Sequence, residues 1–377
     1  MMRMDAPARR ENGPALRVLV LTNHFSDFAG SEIVALQTAQ WFARRGDTVT
    51  LSANSIGAPI KRQATDFQLT IQISDIDLSD FDLVWCQHDL LSQLPLTAFE
   101  RASRHWLPHV VLVSLSPYEP YEHVDGALAR ALSAEVYANS PETAAEVVRR
   151  SAGLITRGMV RVFHNAAPAE FWDAKPSRAP SVAPKSLTVI SNHPPQEVVS
   201  CLTRLEQSGV SVRRIGHGHE VCLVQPDDIA QADAILTIGK SAPYAIAQGK
   251  PVFVYDHFGG DGWLTRANFS ANVAHNFSGR PARRRLTPDA LAAELVSGYP
   301  MAVSEAARLR EVVDLSFLHL DTHLTALRER ARLRHPLWRR LRLAFWLGQP
   351  HAKGHLSTLE QKSAAMRWSY RMLRPGS

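Results

Sequence analysis

Between Arg17 and Tyr255 the chain keeps alternating short apolar runs with segments of helical spacing, and this alternation constrains the fold more than any other feature. The first run, Arg17-Val-Leu-Val-Leu-Thr22, has no polar face, as expected of a strand covered on both sides. Behind it Ile33, Val34, Leu36, Gln37, Trp41 and Phe42 recur at helical spacing, and Gly46 supplies a stop. Further strands are expected over 48–52, 82–86, 109–114 and 135–139, and Ser140-Pro141 opens a helix with an N-cap hydroxyl and a proline at the first helical position. Residues 173–185, with three prolines and almost nothing to bury, break the pattern and read as a linker. The alternation then restarts: strands over 187–191, 221–224, 234–238 and 251–255, helices over 195–208 and 241–248.

Strands alternating with helices imply a parallel, doubly wound sheet. The expected fold is therefore α/β, with two Rossmann-like domains facing a cleft. The first spans 14–172, the second 186–300, a helical region follows over 301–335, and a basic aromatic tail fills 336–377. Ligands of such sheets sit at the carboxyl ends of the strands, here toward the cleft.

Bulk numbers agree with a globular chain: 377 residues, 45% hydrophobic and 21% charged, suffice for two cores. No apolar run approaches the roughly 20 residues of a spanning helix. Arg3, Arg9 and Arg10 precede an apolar stretch, 18–21, much shorter than the ~7–15 residues of a secretory core. Cys86, Cys201 and Cys222 lie in or beside apolar runs and are expected as reduced thiols of a cytoplasmic protein. The net charge of +6 is uneven: residues 334–377 carry nine basic residues and one acid, Glu360, so the rest sums to −2. That excludes a nucleic-acid-coating protein. Arg339, Arg340, Arg342, Arg367, Arg371 and Arg374 are mixed with Trp338, Phe345, Trp346, Trp368 and Tyr370, which suits the anionic inner face of a membrane. An aromatic face docked on the protein is the other reading.

Several stretches carry candidate chemistry. The loop 23–32 ends in Gly30, where backbone N–H groups and a helix N-terminus would favour an anion; a simple turn glycine is equally compatible. Gly239-Lys240-Ser241 follows an apolar strand and opens a helix, a place where a lysine is unfavourable unless an anion sits beside it, so a diphosphate is expected there; a solvated lysine is the other reading. Asn192 and His193 start the preceding helix and fit the same role. Asp256, Gly259, Gly260 and Asp261 end a strand with glycines that would admit a sugar and carboxylates that would accept from its hydroxyls; a structural turn is the alternative. His217-x-His219-Glu220 has poor spacing for zinc, and Asp75-x-Asp77 lies in an acidic loop of the first domain, so no metal or other cofactor is expected.

The order of motifs in the first domain resembles family 4 glycosyltransferases of the GT-B fold. The likeness rests on Gly30-Ser31-Glu32, on R-x-G-x-x-V-T from Arg44 to Thr50, on Phe81-Asp-Leu-Val-Trp-Cys-Gln-His88, on Ala138-Asn-Ser140 and on Arg161-Val-Phe-His-Asn-Ala166. In the second domain Ala247-Gln-Gly-Lys-Pro-Val-Phe-Val254 matches, while Leu236 and Tyr244 stand where the family has two glutamates seven residues apart. Together with 191–195, 255–262 and 276–280, this resembles a divergent bacterial subgroup. The resemblance implies a nucleotide-sugar donor in the second domain, with Tyr244 among its contacts, and a helical region over 301–335 that crosses back. It also implies a glycan or lipid-linked acceptor at the first domain, as in cell-envelope polysaccharide synthesis. Where the family often has a histidine, this chain has Ser114-Leu-Ser116-Pro-Tyr118-Glu119, which leaves His88, Glu119 and Glu32 as catalytic candidates, with a satisfied core histidine as the other reading of His88. A nucleotide-sugar epimerase of the same fold and a catalytically silent binding protein are the competing expectations.

Overall fold

A computed structural model describes residues 14–70, 72–174, 181–333 and 336–373, the side chains of 360 and 363–373 excepted. Arg3, Arg9, Arg10, residues 175–180 of the proline-rich stretch and Arg374 lie outside the described residues, as do the side chains of Arg367, Trp368, Tyr370 and Arg371. Seven strands, β1 (Arg17–Phe25), β2 (Thr48–Ile56), β3 (Gln68–Thr70), β4 (Leu83–Gln87), β5 (His109–Ser114), β6 (Glu135–Ala138) and β7 (Val160–Val162), form a parallel sheet in the order β3-β2-β1-β4-β5-β6-β7. Successive side chains of a strand point to opposite faces. Accordingly Val18, Val20, Leu83, Trp85, Val111 and Val113 enter one core, shared with the helix Gly30–Ala43. Leu19, Leu21, Val84, Cys86, Val110 and Leu112 enter the core on the other face. Both faces are covered, which is why these strands lack polar alternation.

Five more strands, β8 (Ser186–Ile190), β9 (Ser211–Ile215), β10 (Ala234–Thr237), β11 (Val252–Asp256) and β12 (Gly259–Trp263), form a second sheet ordered β12-β11-β10-β8-β9. It departs from the expected all-parallel sheet, because β12 runs antiparallel to β11. The strand expected over 221–224 is a loop, with Val221 exposed. The strand lies instead at Ser211–Ile215, an edge strand whose Arg213 bonds Glu220 and Asp228 and whose Arg214 bonds Glu206. Two arginines hid it in the sequence, yet an edge strand needs only one buried face.

The chain passes between the two cores twice, and the passages lie side by side. Ala166 belongs to the first sheet's core and Ala167 to the second's, ahead of the proline-rich stretch. On the return, Leu318 still packs in the second core and Leu320 in the first. The Ala167 N–H donates to the Leu318 carbonyl at 2.8 Å, and the Leu320 N–H donates to the Ala167 carbonyl at 3.0 Å. The helix Leu320–Arg332 then lays Leu320, Leu324, Leu327 and Ala331 on the first core, a helical spacing that explains why it docks there. Arg328 and Asp47, both buried, close this contact at 2.7 Å, and Asp47 also accepts from the Leu16 N–H.

After it, the helix Leu337–Leu347 docks Leu343 and Leu347 on the first sheet's helices. Arg339 is buried here and donates to the carbonyls of Leu132 and Ser133, and Arg340 donates to those of Ser103 and Arg104. Two of the tail arginines therefore cap the carboxyl ends of helices instead of facing outward. No helix among the described residues is long and apolar enough to cross a membrane.

Candidate functional site

The carboxyl ends of the two sheets face each other across one cleft, and loops that follow strands build its walls. At the inner end the loop after β1 meets the loops after β8 and β9. Asp27 pairs with His217, the Asn192 amide donates to the Phe28 carbonyl at 3.4 Å, and the His193 and His217 rings stand 5.2 Å apart. Glu32 does not project into this space. It is buried and folds back on its own loop, accepting from the N–H groups of Asp27 (2.9 Å), Ser26 (3.3 Å) and Ala29 (3.4 Å). Burial raises its carboxyl to about 7 against the pull of those three donors. Glu32 thus shapes the loop that holds Asp27 and Phe28. Gly30 is an ordinary first helical residue, exposed and with open space where a Cβ would stand, so its backbone does not require glycine.

At the outer end lies a cavity of about 780 Å³. The first sheet contributes Ser116, Tyr118 and Glu119 from the loop after β5. The second contributes Gly239 after β10, His257 and Phe258 after β11, and the segment carrying Asn276, Ser278, Arg280, Arg283 and Arg285. Arg280 spans the cleft to Glu142, with its guanidinium 5.2 Å from the Tyr118 ring and 5.4 Å from Phe258. Arg285 donates to the His257 carbonyl at 2.9 Å, and Arg283 is exposed on the cavity wall. Guanidinium groups bind phosphate through paired donors, so this wall suits a diphosphate. The run Arg283-Arg284-Arg285 was visible in the sequence, but a charge run ordinarily reads as a solvated face. Arg284 does turn away, to Glu294 at 2.6 Å.

Gly239-Lys240-Ser241 divides. Gly239 lines the cavity in a left-handed conformation (φ 60°), which glycine adopts without strain, but its N–H is taken by the Phe277 carbonyl at 3.0 Å. Lys240, expected at the surface beside an anion, is buried, and its Nζ donates to the Ala166 carbonyl at 2.6 Å. Burial lowers its ammonium to about 7. Ser241 is buried too, and Tyr244 stacks on Phe171 while its hydroxyl accepts from the Gln37 amide at 2.8 Å. Lys240 and Tyr244 therefore join the two sheets beneath the cleft. The sequence pattern missed this because a buried lysine satisfied by one carbonyl has no local signature.

The glycine-rich turn after β11 is also structural. A Cβ on Gly260 would stand 1.9 Å from the Val254 carbonyl oxygen, and one on Gly259 would stand 2.5 Å from that of Arg284. The backbone these glycines admit is the protein's own. Asp256 is buried, accepts from Ser191 Oγ at 3.1 Å and from the His257 N–H at 2.8 Å, and is held above the usual carboxylate range by that burial. Asp261 lies on β12, half-buried, and burial raises it as well.

Among the catalytic candidates only Glu119 lines the cavity. His88, at the end of β4, is buried in a left-handed conformation (φ 61°) followed by another at Asp89 (φ 52°). Its Nδ1 accepts from the Asn23 N–H at 3.0 Å, which places the ring proton on Nε2, 3.3 Å from Glu122. Glu122 in turn accepts from the Leu115 N–H at 2.8 Å. The pair fixes the loops after β4 and β5 against each other, with His88 anchored on β1 through Asn23.

Two doubly wound sheets facing one cleft, with a carboxy-terminal helix returned to the first, are the GT-B architecture. No protein-family profile and no curated protein matches the sequence. Solved structures similar to it include a glycosyltransferase from Rickettsia africae, at 10% identity over 85% of this chain and 98% of that one, with a TM-score of 0.49. Another is WaaG, a glycosyltransferase involved in lipopolysaccharide biosynthesis, at 12% identity over 82% and 98% of the two chains and a TM-score of 0.47. LpCGTa, solved in complex with UDP, overlaps 85% of this chain and all of its own at 13% identity and a TM-score of 0.48.

Proposed function

We propose that the protein is a glycosyltransferase of the family 4 type, moving a sugar from a nucleotide-sugar donor to a glycan or lipid-linked acceptor without a bound metal. The reading is carried by one observation: the cavity of about 780 Å³ lies at the carboxyl ends of β5, β10 and β11, with Arg283 and Arg285 on its wall. In this reading the two guanidinium groups neutralise the departing diphosphate, which is where charge develops on cleavage of the donor. Asn192 and His193, at the inner end, face the nucleoside half. Glu119, on the opposite wall, is the carboxylate placed to accept the proton of an acceptor hydroxyl.

Calorimetric titration of the full chain with UDP, GDP, TDP and ADP tests the donor half. Binding of one of them at micromolar concentrations is expected, and no binding of any overturns the reading. Incubation with the matching nucleotide sugar, followed by product analysis, then separates transfer or hydrolysis from epimerisation of the donor.

A second reading, a silent binding protein, is favoured by Leu236 and Tyr244, which are buried apolar-core residues where the family has acidic ones. Nucleotide binding without any turnover of a nucleotide sugar would decide for it.

A further inference from the structure

The helix Leu337–Leu347 is amphipathic in the wrong sense for a surface helix. Its buried side holds Arg339, Leu343 and Leu347, while Leu337, Trp338, Leu341 and Phe345 point outward at 61%, 48%, 59% and 73% exposure. At 100° per residue these four fall within about a 100° arc, a continuous apolar stripe. Scattered exposed apolar residues need no explanation, but four on one helical face do.

Charge on the helix itself has one sign. Residues 337–350 include three arginines and no acid. Arg342 borders the stripe and lies 4.8 Å from the Trp338 ring. The helices on which this one packs add Arg104 and Arg130, both exposed. A convex apolar ridge with an indole and a basic border is the form that seats in the headgroup region of a bilayer, whereas a protein partner would have to supply a matching groove.

We propose that this ridge is an interfacial membrane anchor, with Leu337, Trp338, Leu341 and Phe345 inserted among the acyl-chain ends of an anionic bilayer and Arg342 at its phosphates. The proposal rests on the exposed face alone and holds whether or not the cleft transfers sugars.

Flotation of the full-length protein with vesicles of phosphatidylglycerol and phosphatidylcholine in equal parts, and with phosphatidylcholine alone, is the test. The wild type is expected to float with the anionic vesicles, less so in high salt, and hardly at all with the neutral ones. Leu341→Ser combined with Phe345→Ser is expected to cut the partition coefficient at least about tenfold, since two apolar side chains no longer leave water. Arg342→Glu is expected to weaken binding and flatten its salt dependence. These side chains face solvent, so unchanged thermal melting of the variants is the control for folding. Wild-type protein that stays at the bottom of the gradient overturns the proposal. So does a double variant that floats as the wild type does, which would assign binding to other residues. A wild-type dimer that the double variant abolishes, with flotation by neither, overturns it too and assigns the ridge to a second copy of the chain.

Discussion

The Lys240 ammonium and the Ala166 carbonyl, 2.6 Å apart and buried, join the second sheet to the point at which the chain leaves the first. A lysine in that position serves cohesion and not anion capture, because it is buried and donates to a carbonyl that is itself buried.

Lys240→Met, which keeps the stem but removes the donor, is therefore expected to cost about 1–3 kcal/mol of stability in urea unfolding and to leave nucleotide affinity unchanged. Stability should also depend on pH through this residue. Burial lowers its ammonium from the usual 10.5 to about 7, so between those values the unfolded chain holds a proton that the folded one has lost. Where the unfolded state binds more protons, stability rises with pH. The wild type should thus gain stability between pH 7 and 10 relative to Lys240→Met, and a constant difference across that window would contradict the assignment.

Arg283→Ala and Arg285→Ala bear on the cavity wall. Each is expected to remove a charge-assisted hydrogen bond to the diphosphate, about 1.5–3 kcal/mol, and so to weaken the preferred nucleoside diphosphate about ten- to a hundredfold. Melting temperatures should hardly move, since both residues are exposed. Titrations indistinguishable from the wild type would remove the arginines from the donor site.

Glu119 and His88 should separate chemistry from structure. Glu119→Gln is expected to lower kcat about 10²–10⁴-fold with little change in melting temperature, if the residue takes the acceptor proton. His88→Gln is expected to act through stability, because it breaks the contacts to Asn23 and Glu122. A His88 variant that melts normally yet has lost kcat would reverse the two roles.

Arg280 and Glu142 meet across the cleft, with side chains 9% and 20% exposed. Replacement of each by Ala, and of both, should give a coupling energy of about 0.5–3 kcal/mol in a double-mutant cycle of unfolding. Strict additivity would mean that the contact does not hold the sheets together.

Transfer or donor hydrolysis is expected to persist in EDTA, because guanidinium groups are assigned the leaving diphosphate. Loss of activity on chelation, with recovery on addition of Mn²⁺ or Mg²⁺, would refute that assignment.

The sheets were readable in the sequence because strands buried on both faces leave continuous apolar runs, as in Val18 to Leu21. Strand β9 was not, since Arg213 and Arg214 sit on an edge and are satisfied by Glu220, Asp228 and Glu206, residues that folding brings near. The site was read less well than the sheets. Gly239 and Glu119 do reach the cavity, but Lys240, Glu32 and Gly260 turned out to hold the protein's own backbone. A polar residue after a strand looks the same in sequence whether it meets a ligand or a carbonyl. Only three-dimensional burial distinguishes them.

The twin passages at Ala167 and at Leu318 to Leu320, hydrogen-bonded to each other, tie the second sheet to the first together with the buried contacts Lys240–Ala166 and Tyr244–Gln37. Turning about those passages preserves both amide bonds, whereas Asp27–His217 at the inner end and Glu142–Arg280 at the outer end must part. Admission of a substrate then becomes an angular event, opposed along the rim by Asp27–His217, Asn192–Phe28, Asn165–Asn276 and Glu142–Arg280. Occupancy of the cleft would be registered as the angle at which those pairs can close again.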